Sequence, residues 1–297
     1  MTYDVIVVGG GCAGFAAAMY ASRFEMKVLV LATIPGGLIT TTHLVENYPG
    51  VPTWSGMEMG MKFQEHAKKF GAEMKVATVE EVKKENDLFT VKTRSEEFTG
   101  KTLVIATGSE HRHLDVPGEE EYANRGVSYC AVCDAGFYKD KVVAIVGGRD
   151  SAAKEALLLS EYASKVYIIY RGAEIQPEPI NKKRVMENEK IEIINNTNLK
   201  DIQGDGNKVT GVTFKEGGEL ALDGVFVAIG HTPQSTLAKQ LGVEITKKGE
   251  VVIDHASKTN IPGVFAAGDL TNIPFKQAII SAAQGSYAAN SAYEYLQ

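Results

Sequence analysis

Two cysteines stand two residues apart in the run Cys130-Ala131-Val132-Cys133, and Asp134 follows at once. Thiols at this spacing close a small ring, so the pair can pass between dithiol and disulfide with little movement. A neighbouring carboxylic acid can supply or remove the proton that each half-reaction needs. Zinc is a competing use of the spacing, but a closed zinc site wants four ligands. No second Cys-x-x-Cys is present, and His111 and His113 are the only imidazoles close by. Inert buried thiols are the remaining alternative. Redox exchange is the favoured reading, and no metal is expected. The third cysteine, Cys12, lies inside a glycine turn where a small side chain is needed, and reads as filler.

The second constellation with chemistry in it is Gly9, Gly11 and Gly14, a G-x-G-x-x-G placed directly after the apolar run 5–8 and at the start of an Ala-rich segment. One glycine makes the turn, one lets backbone approach a pyrophosphate, one lets helix pack on strand, and the helix N-terminus favours the anion. Gly9, Gly11, Ala13 and Gly14 are therefore expected to contact a dinucleotide. The acid that usually ends the next strand and grips a ribose is missing, because Ala32 and Thr33 stand there. A second turn reads Gly147-Gly148-Arg149-Asp150-Ser151-Ala152, with Arg149 where the middle glycine is expected. A long side chain there would crowd a phosphate, or else bind one.

Elements of a particular kind must position these residues. A buried strand at 5–8, the glycine turn, a helix over 15–23 and a strand at 27–31 make a β-turn-α-β unit, and the pattern repeats with 142–146, 151–162 and 165–170. Ser55 and Glu58 form a capping box for an amphipathic helix reaching residue 70. Further strands are expected near Val76 and at 89–92, 103–106, 191–194, 209–214, 225–229, 251–253 and 264–266, with a closing helix over 277–296. The fold class is α/β: two nucleotide-binding Rossmann-like domains, the second inserted into the first. The expected division is 1–113 with 232–297 for the discontinuous first domain, and 114–231 for the second, which carries the cysteine pair.

Bulk properties agree with a cofactor enzyme. Of 297 residues, 44% are hydrophobic and 30 are glycine, which suits a sizeable core with many ligand-facing loops. A net charge of -6 argues against general binding to nucleic acid or anionic membrane. No run approaches the roughly 20 apolar residues that span a bilayer, and no secretory signal is visible, so a cytoplasmic location is expected.

Three more segments match the two-domain flavoprotein reductases and favour FAD at the first turn: Gly36-Gly37 with Glu46-Asn47-Tyr48-Pro49-Gly50, then Thr107-Gly108, then Ala267-Gly268-Asp269. With Cys130-x-x-Cys133-Asp134 between them and Lys276-Gln277-Ala278 after them, their order resembles the low-molecular-weight bacterial and archaeal thioredoxin reductases over essentially the whole chain. The resemblance implies FAD held by Gly9, Gly11, Ala13, Gly14, Gly36, Gly37, Asn47, Thr107, Gly108, Gly268, Asp269, Lys276, Gln277 and Ala278. It implies that Cys133 faces the flavin, that Cys130 attacks the disulfide of a thioredoxin, and that Asp134 is the acid. A homodimer and a swivelling second domain are implied as well.

The second turn departs from the NADPH-using pattern. Arg149 replaces a glycine, and Tyr170-Arg171-Gly172-Ala173-Glu174 keeps one Arg and adds an acid where a basic cluster would grip a 2′-phosphate. In this the chain is most similar to the ferredoxin-dependent flavin thioredoxin reductases, which lack a normal NADPH site, and a non-pyridine donor is expected. From a ferredoxin near about -400 mV to a thioredoxin near about -270 mV, two electrons release about 6 kcal/mol. Lys182, Lys183 and Arg184 would form the docking patch, unless they are a solvated helix face. An NADPH-dependent reductase, an FAD-dependent dithiol oxidase of a small metabolite and a non-catalytic flavin redox sensor remain as alternatives.

Overall fold

The structure is a computed structural model describing residues 1–51 and 53–297. The chain divides into two compact units, Met1–Glu110 with Thr232–Gln297, and His111–His231.

The first unit is built on a seven-stranded sheet. Its parallel part runs Glu73–Val76, Val28–Ala32, Thr2–Val8, Glu97–Ile105, and Val264–Ala266 pairs with the end of Glu97–Ile105. Val5 lies opposite Val28 on one side and Thr102 on the other. The four apolar residues from Val5 to Val8 are all buried, as a strand covered on both faces requires. The beginning of Glu97–Ile105 instead pairs antiparallel with Leu88–Thr93, which pairs with Val79–Glu85. That last strand is absent from the sequence reading because its segment VEEVKKE is mostly charged. It is an edge strand whose single buried residue is Val82.

Two helices of the first unit explain its alanines. Cys12–Arg23 buries Ala16, Ala17, Ala18 and Ala21, and Ala278–Leu296 buries Ala282, Ala288, Ala289 and Ala292. They lie backbone against backbone: a Cβ on Gly285 would stand 2.1 Å from the carbonyl oxygen of Ala13. Ser55 caps Gly56–Lys69 with the expected box, its hydroxyl accepting from the Glu58 amide at 3.1 Å while the Glu58 carboxylate accepts from the Ser55 amide at 2.8 Å. The strand expected at 251–253 does not form. Only Val251 bridges to neighbouring chain, while the amides of Val252 and Ile253 are taken by the Glu244 carbonyl and the Asn272 side chain.

In the second unit five parallel strands are ordered Ile191–Ile194, Lys165–Ile169, Val142–Val146, Gly224–Val227, Val127–Ser128. An antiparallel meander of Leu199–Gly204, Val209–Phe214 and Glu219–Ala221 accompanies them. The helix Asp150–Tyr162 packs small residues, Ala152, Ala153 and Ala156, into the core and is contacted by Ala131–Asp134 and Pro179–Met186. Among the described residues no helix is long and apolar enough to cross a membrane.

Candidate active site

The first glycine turn is a backbone cradle. Gly9 sits at φ +114°, where a Cβ would strike the Ala106 carbonyl at 2.1 Å, and a Cβ on Gly14 would meet the Gly9 carbonyl at 1.9 Å. Gly11 is the N-cap of Cys12–Arg23 with no side-chain cap and no acid in the first turn. A Cβ at Gly11 would meet the Gly36 carbonyl and Gly37 Cα only at 3.9 Å, and no side chain caps the first-turn amides. Such uncapped donors at a helix N-terminus suit a pyrophosphate.

The remaining expected contacts lie in the same unit. The Gly36 amide donates to the Gly10 carbonyl at 2.8 Å, which closes the Gly36-Gly37 loop over the turn. Asn47 Nδ2 donates to Gln277 Oε1 at 3.0 Å, and Gln277 is the N-cap of Ala278–Leu296. Thr107 Oγ1 donates to the Gln234 carbonyl at 2.6 Å, while the Gly108 carbonyl accepts from the Gln234 amide at 2.9 Å. The Gly268 amide donates to Gln284 Oε1 at 2.8 Å. Ser281 Oγ donates to Asp269 Oδ1 at 3.3 Å. Burial holds the Asp269 carboxyl above the usual carboxylate range, with Ser281 and Lys276 pulling the other way. Lys276 Nζ is braced by Glu250 Oε1 at 3.0 Å and by the Thr271 carbonyl. Cys12 is buried, and desolvation followed by the nearby Asp269 pushes its thiol up to about 12, which leaves it a filler and no nucleophile.

In the second unit Cys130 and Cys133 are joined as a disulfide, with Cα atoms 5.3 Å apart. Cys130 is the N-cap of the short helix Ala131–Asp134; its Sγ accepts from the Cys133 amide at 3.2 Å, and its carbonyl accepts from the Asp134 amide at 3.2 Å. Cys133 is exposed, while Cys130 and Asp134 are half-buried. The Cys130 amide donates to Ser128 Oγ at 3.1 Å, which anchors the turn to the strand Val127–Ser128.

Arg149 caps Asp150–Tyr162 at φ -107° and ψ -172°, an extended conformation open to any residue, and its side chain is exposed. Asp150 is held by Lys154 at 2.9 Å, Asn181 Nδ2 at 2.8 Å and the Glu178 amide at 3.0 Å. Burial raises its carboxyl, but those donors outweigh it and hold the group below the usual range. Glu174 and Lys182 form an ion pair, and Lys183 pairs with Glu187 at 3.8 Å.

Residues 3–288 match the family described as pyridine nucleotide-disulphide oxidoreductase. A thioredoxin reductase of Bacillus subtilis is 39% identical over 301 residues, covering 99% of this chain and 95% of that protein. The structure of Lactococcus lactis thioredoxin reductase superposes with a TM-score of 0.96 at 38% identity, covering 99% of each chain. The chain belongs to the thioredoxin reductase family. The structure from T. acidophilum agrees, with a TM-score of 0.94 at 37% identity over 99% of this chain and 98% of that one.

As a member it is a flavin-dependent disulfide oxidoreductase with FAD as cofactor and a redox-active cysteine pair. Uncapped amides, bare glycine backbone and the largely buried Asp269 carboxyl in the first unit fit that cofactor.

Family membership overturns the expectation of ferredoxin or another non-pyridine donor, since the matched span includes the second glycine turn and the family's reductant is a pyridine nucleotide. The geometry weakens the grounds for that expectation: the Arg149 side chain is exposed at an extended N-cap, and Glu174 is paired with Lys182. Lys182 and Lys183 are both engaged within the unit, as in a solvated helix face.

Sequence reasoning passed over one group. Glu155, half-buried on Asp150–Tyr162, has its carboxyl near the Ala131 amide between the two cysteines, and its Oε2 is buried with no hydrogen-bond partner. The signal was present: Glu155 interrupts the apolar face made by Ala152, Ala156 and Leu159.

Proposed function

We propose that this chain is an NADPH-dependent thioredoxin reductase, in which the unit Met1–Glu110 with Thr232–Gln297 holds FAD and the unit His111–His231 carries the nucleotide turn and the redox pair. The observation that carries the reading is the Cys130–Cys133 disulfide, closed across one turn of helix, in a chain of the pyridine nucleotide-disulphide family. NADPH is preferred over NADH because Arg149 and Arg171 are both exposed cations beside the second turn, suited to a 2′-phosphate.

FAD supplies the two-electron relay between nicotinamide and disulfide. When two electrons reach the pair, the Cys130–Cys133 bond breaks and two protons complete the two thiols. Cys130 then attacks a thioredoxin sulfur as thiolate, and the partner's second sulfur leaves as a thiolate that takes a proton. Attack of the Cys133 thiolate on Cys130 Sγ releases the reduced partner and restores the disulfide. The Cys133 amide supports Cys130 as the attacking thiolate, because a hydrogen bond at 3.2 Å favours the charged form. Asp134, next to Cys133, is assigned to hold and return the proton. A homodimer in the cytoplasm completes the proposal, and sedimentation of the flavoprotein reads the dimer.

The deciding experiment is anaerobic: flavin bleaching by NADPH and by NADH, then thioredoxin reduction. NADPH is expected to bleach the flavin at micromolar concentration and to support turnover. Bleaching with no thioredoxin turnover, but with electrons passed to oxygen from a small dithiol, would sink the thioredoxin assignment. Cys133→Ser is expected to accumulate a mixed disulfide with thioredoxin through Cys130. Trapping by Cys130→Ser instead would reverse the two roles.

A further inference from the structure

We propose that Glu155 is a positioning residue for the redox pair, holding a proton beneath the Cys130–Cys133 turn so that its charge state sets how readily the reduced pair forms a thiolate. The inference rests on the reading that this pair cycles. Its geometry lies within the second unit. The helix Ala131–Asp134 packs on Asp150–Tyr162, which brings the Ala131 amide, between the two cysteines, near the half-buried Glu155 carboxyl. Glu155 Oε2 is buried without a partner, and the same face of the helix carries Ala152, Ala156 and Leu159, each fully buried.

A purely structural role accounts poorly for a carboxyl there. An unpaired buried acid oxygen is costly, and an apolar side chain of the same length would fill the space without that cost. A carboxyl in such surroundings meets the cost by staying protonated. Burial pushes Glu155 up to about 8, with only the Ala131 amide pulling down. The group is thus neutral through most of the physiological range and becomes an anion beneath the turn at alkaline pH.

No neighbouring charge enters that balance. Asp134 and Tyr138 come from the segment over the helix, Lys165, Tyr167 and Glu192 from the adjacent strands, and Lys182, Lys183 and Arg184 from Pro179–Met186. The lysines are paired with acids: Lys165 with Glu192 at 2.9 Å, Lys183 with Glu187 at 3.8 Å, and Lys182 with Glu174. Arg184 Nη1 donates to Asn181 Oδ1 at 3.4 Å. On the helix itself, Lys154 pairs with Asp150 at 2.9 Å, and Glu161 and Tyr162 stand near its far end.

The consequence concerns the reduced pair. Two electrons and two protons convert the disulfide to two thiols, and loss of one thiol proton to solvent gives the attacking thiolate. With Glu155 neutral, it adds no charge against that thiolate. Once Glu155 is ionised, the second negative charge in a poorly solvated region raises the thiol's own ionisation, so thiolate is suppressed as pH rises. Glu155 forms no bond to sulfur and exchanges no electrons.

The test is alkylation of the dithiothreitol-reduced flavoprotein by iodoacetamide, anaerobically, as a function of pH. It needs neither nucleotide nor partner. Glu155→Gln keeps an oxygen for the Ala131 amide and cannot ionise. The rate ratio of this variant to the unaltered protein is expected near one at about pH 6.5 and at least about threefold at about pH 9. Glu155→Asp keeps an acid and should follow the unaltered profile. A ratio that is flat with pH, or an Asp variant that behaves as the Gln variant does, means packing alone and overturns the proposal. If Glu155→Gln does not fold, reduced-minus-oxidised infrared spectra of the unaltered protein decide. A protonated-carboxyl band that responds to reduction at about pH 7 and is gone at about pH 9.5 supports the proposal, and no such band at either pH overturns it. A flat ratio in a protein that turns over with NADPH sinks this inference alone; the expected ratio in a protein that does not turn over sinks the proposed function alone.

Discussion

The two glycine turns share a backbone plan and differ in what they show to a ligand. Gly9 at φ +114° and Gly147 at φ +149° each press against a carbonyl, and in each a Cβ would come within 2.1 Å of Ala106 O or 2.3 Å of Ala228 O. Each leads to an N-cap in extended conformation, Gly11 at φ -88° and Arg149 at φ -107°. The third step is bare in the first turn, where Gly14 lies against the Gly9 carbonyl, and methylated in the second, where Ala152 is buried. The positive-φ residue must therefore be glycine in both turns. The N-cap need not be, and is free to be bare backbone for a pyrophosphate or a cation for a more highly charged nucleotide. Each unit also holds one acid that burial raises, Asp269 in the first and Glu155 in the second.

The largest expected effects separate the turns. Gly9→Val should yield protein without flavin and with its far-ultraviolet melt lost, because a Cβ and a positive φ both oppose it. Gly147→Val should keep the yellow colour and lose bleaching by NADPH. Equal flavin loss in both variants, read from the absorbance of the purified proteins, would show that the turns do not serve different ligands.

Next comes the acid of the second unit. The folded Glu155 carboxyl keeps its proton up to about 8, while the unfolded side chain releases it near the ordinary value of 4.5. Between these values the unfolded chain sheds its proton first, so rising pH lowers stability, and above about 8 the loss is complete. Glu155→Gln removes the effect. Its advantage in urea melts should open across that window to at most roughly 5 kcal/mol and stay constant beyond it. An advantage independent of pH would show that the buried group does not hold its proton.

Asp269→Ala tests the acid of the first unit. Losing the hydrogen bonds it can offer a ligand should weaken FAD about 10- to 100-fold, measured by flavin released on dilution. The smallest effect belongs to Arg149. Arg149→Glu should raise KM for NADPH about tenfold and less at high salt, with kcat little changed. If Arg149→Gly lowered KM, the arginine would be an obstacle and the comparison of N-caps would fail.

Local physics was legible in the residues themselves. Continuous apolar strands, glycine at the positive-φ turns and the Ser55–Glu58 box depend on neighbours in sequence, and Thr2–Val8, Val142–Val146 and Gly56–Lys69 form where those signals stand. The Cys-x-x-Cys pair is local too, and it closes within one turn of helix. The charged strand Val79–Glu85 was not legible, because its partner Leu88–Thr93 and not its own composition makes it a strand. Arg149 and Glu174 misled for a related reason: residue type names a charge, but only the fold shows that one side chain is exposed at an unstrained N-cap and the other is paired with Lys182, eight positions on. Glu155 is the clearest case. Sequence shows an acid on an apolar helix face, whereas its contact with the amide of Ala131 joins residues 24 positions apart, and the desolvation that keeps it protonated comes from the packing of the helix carrying the cysteines against its own.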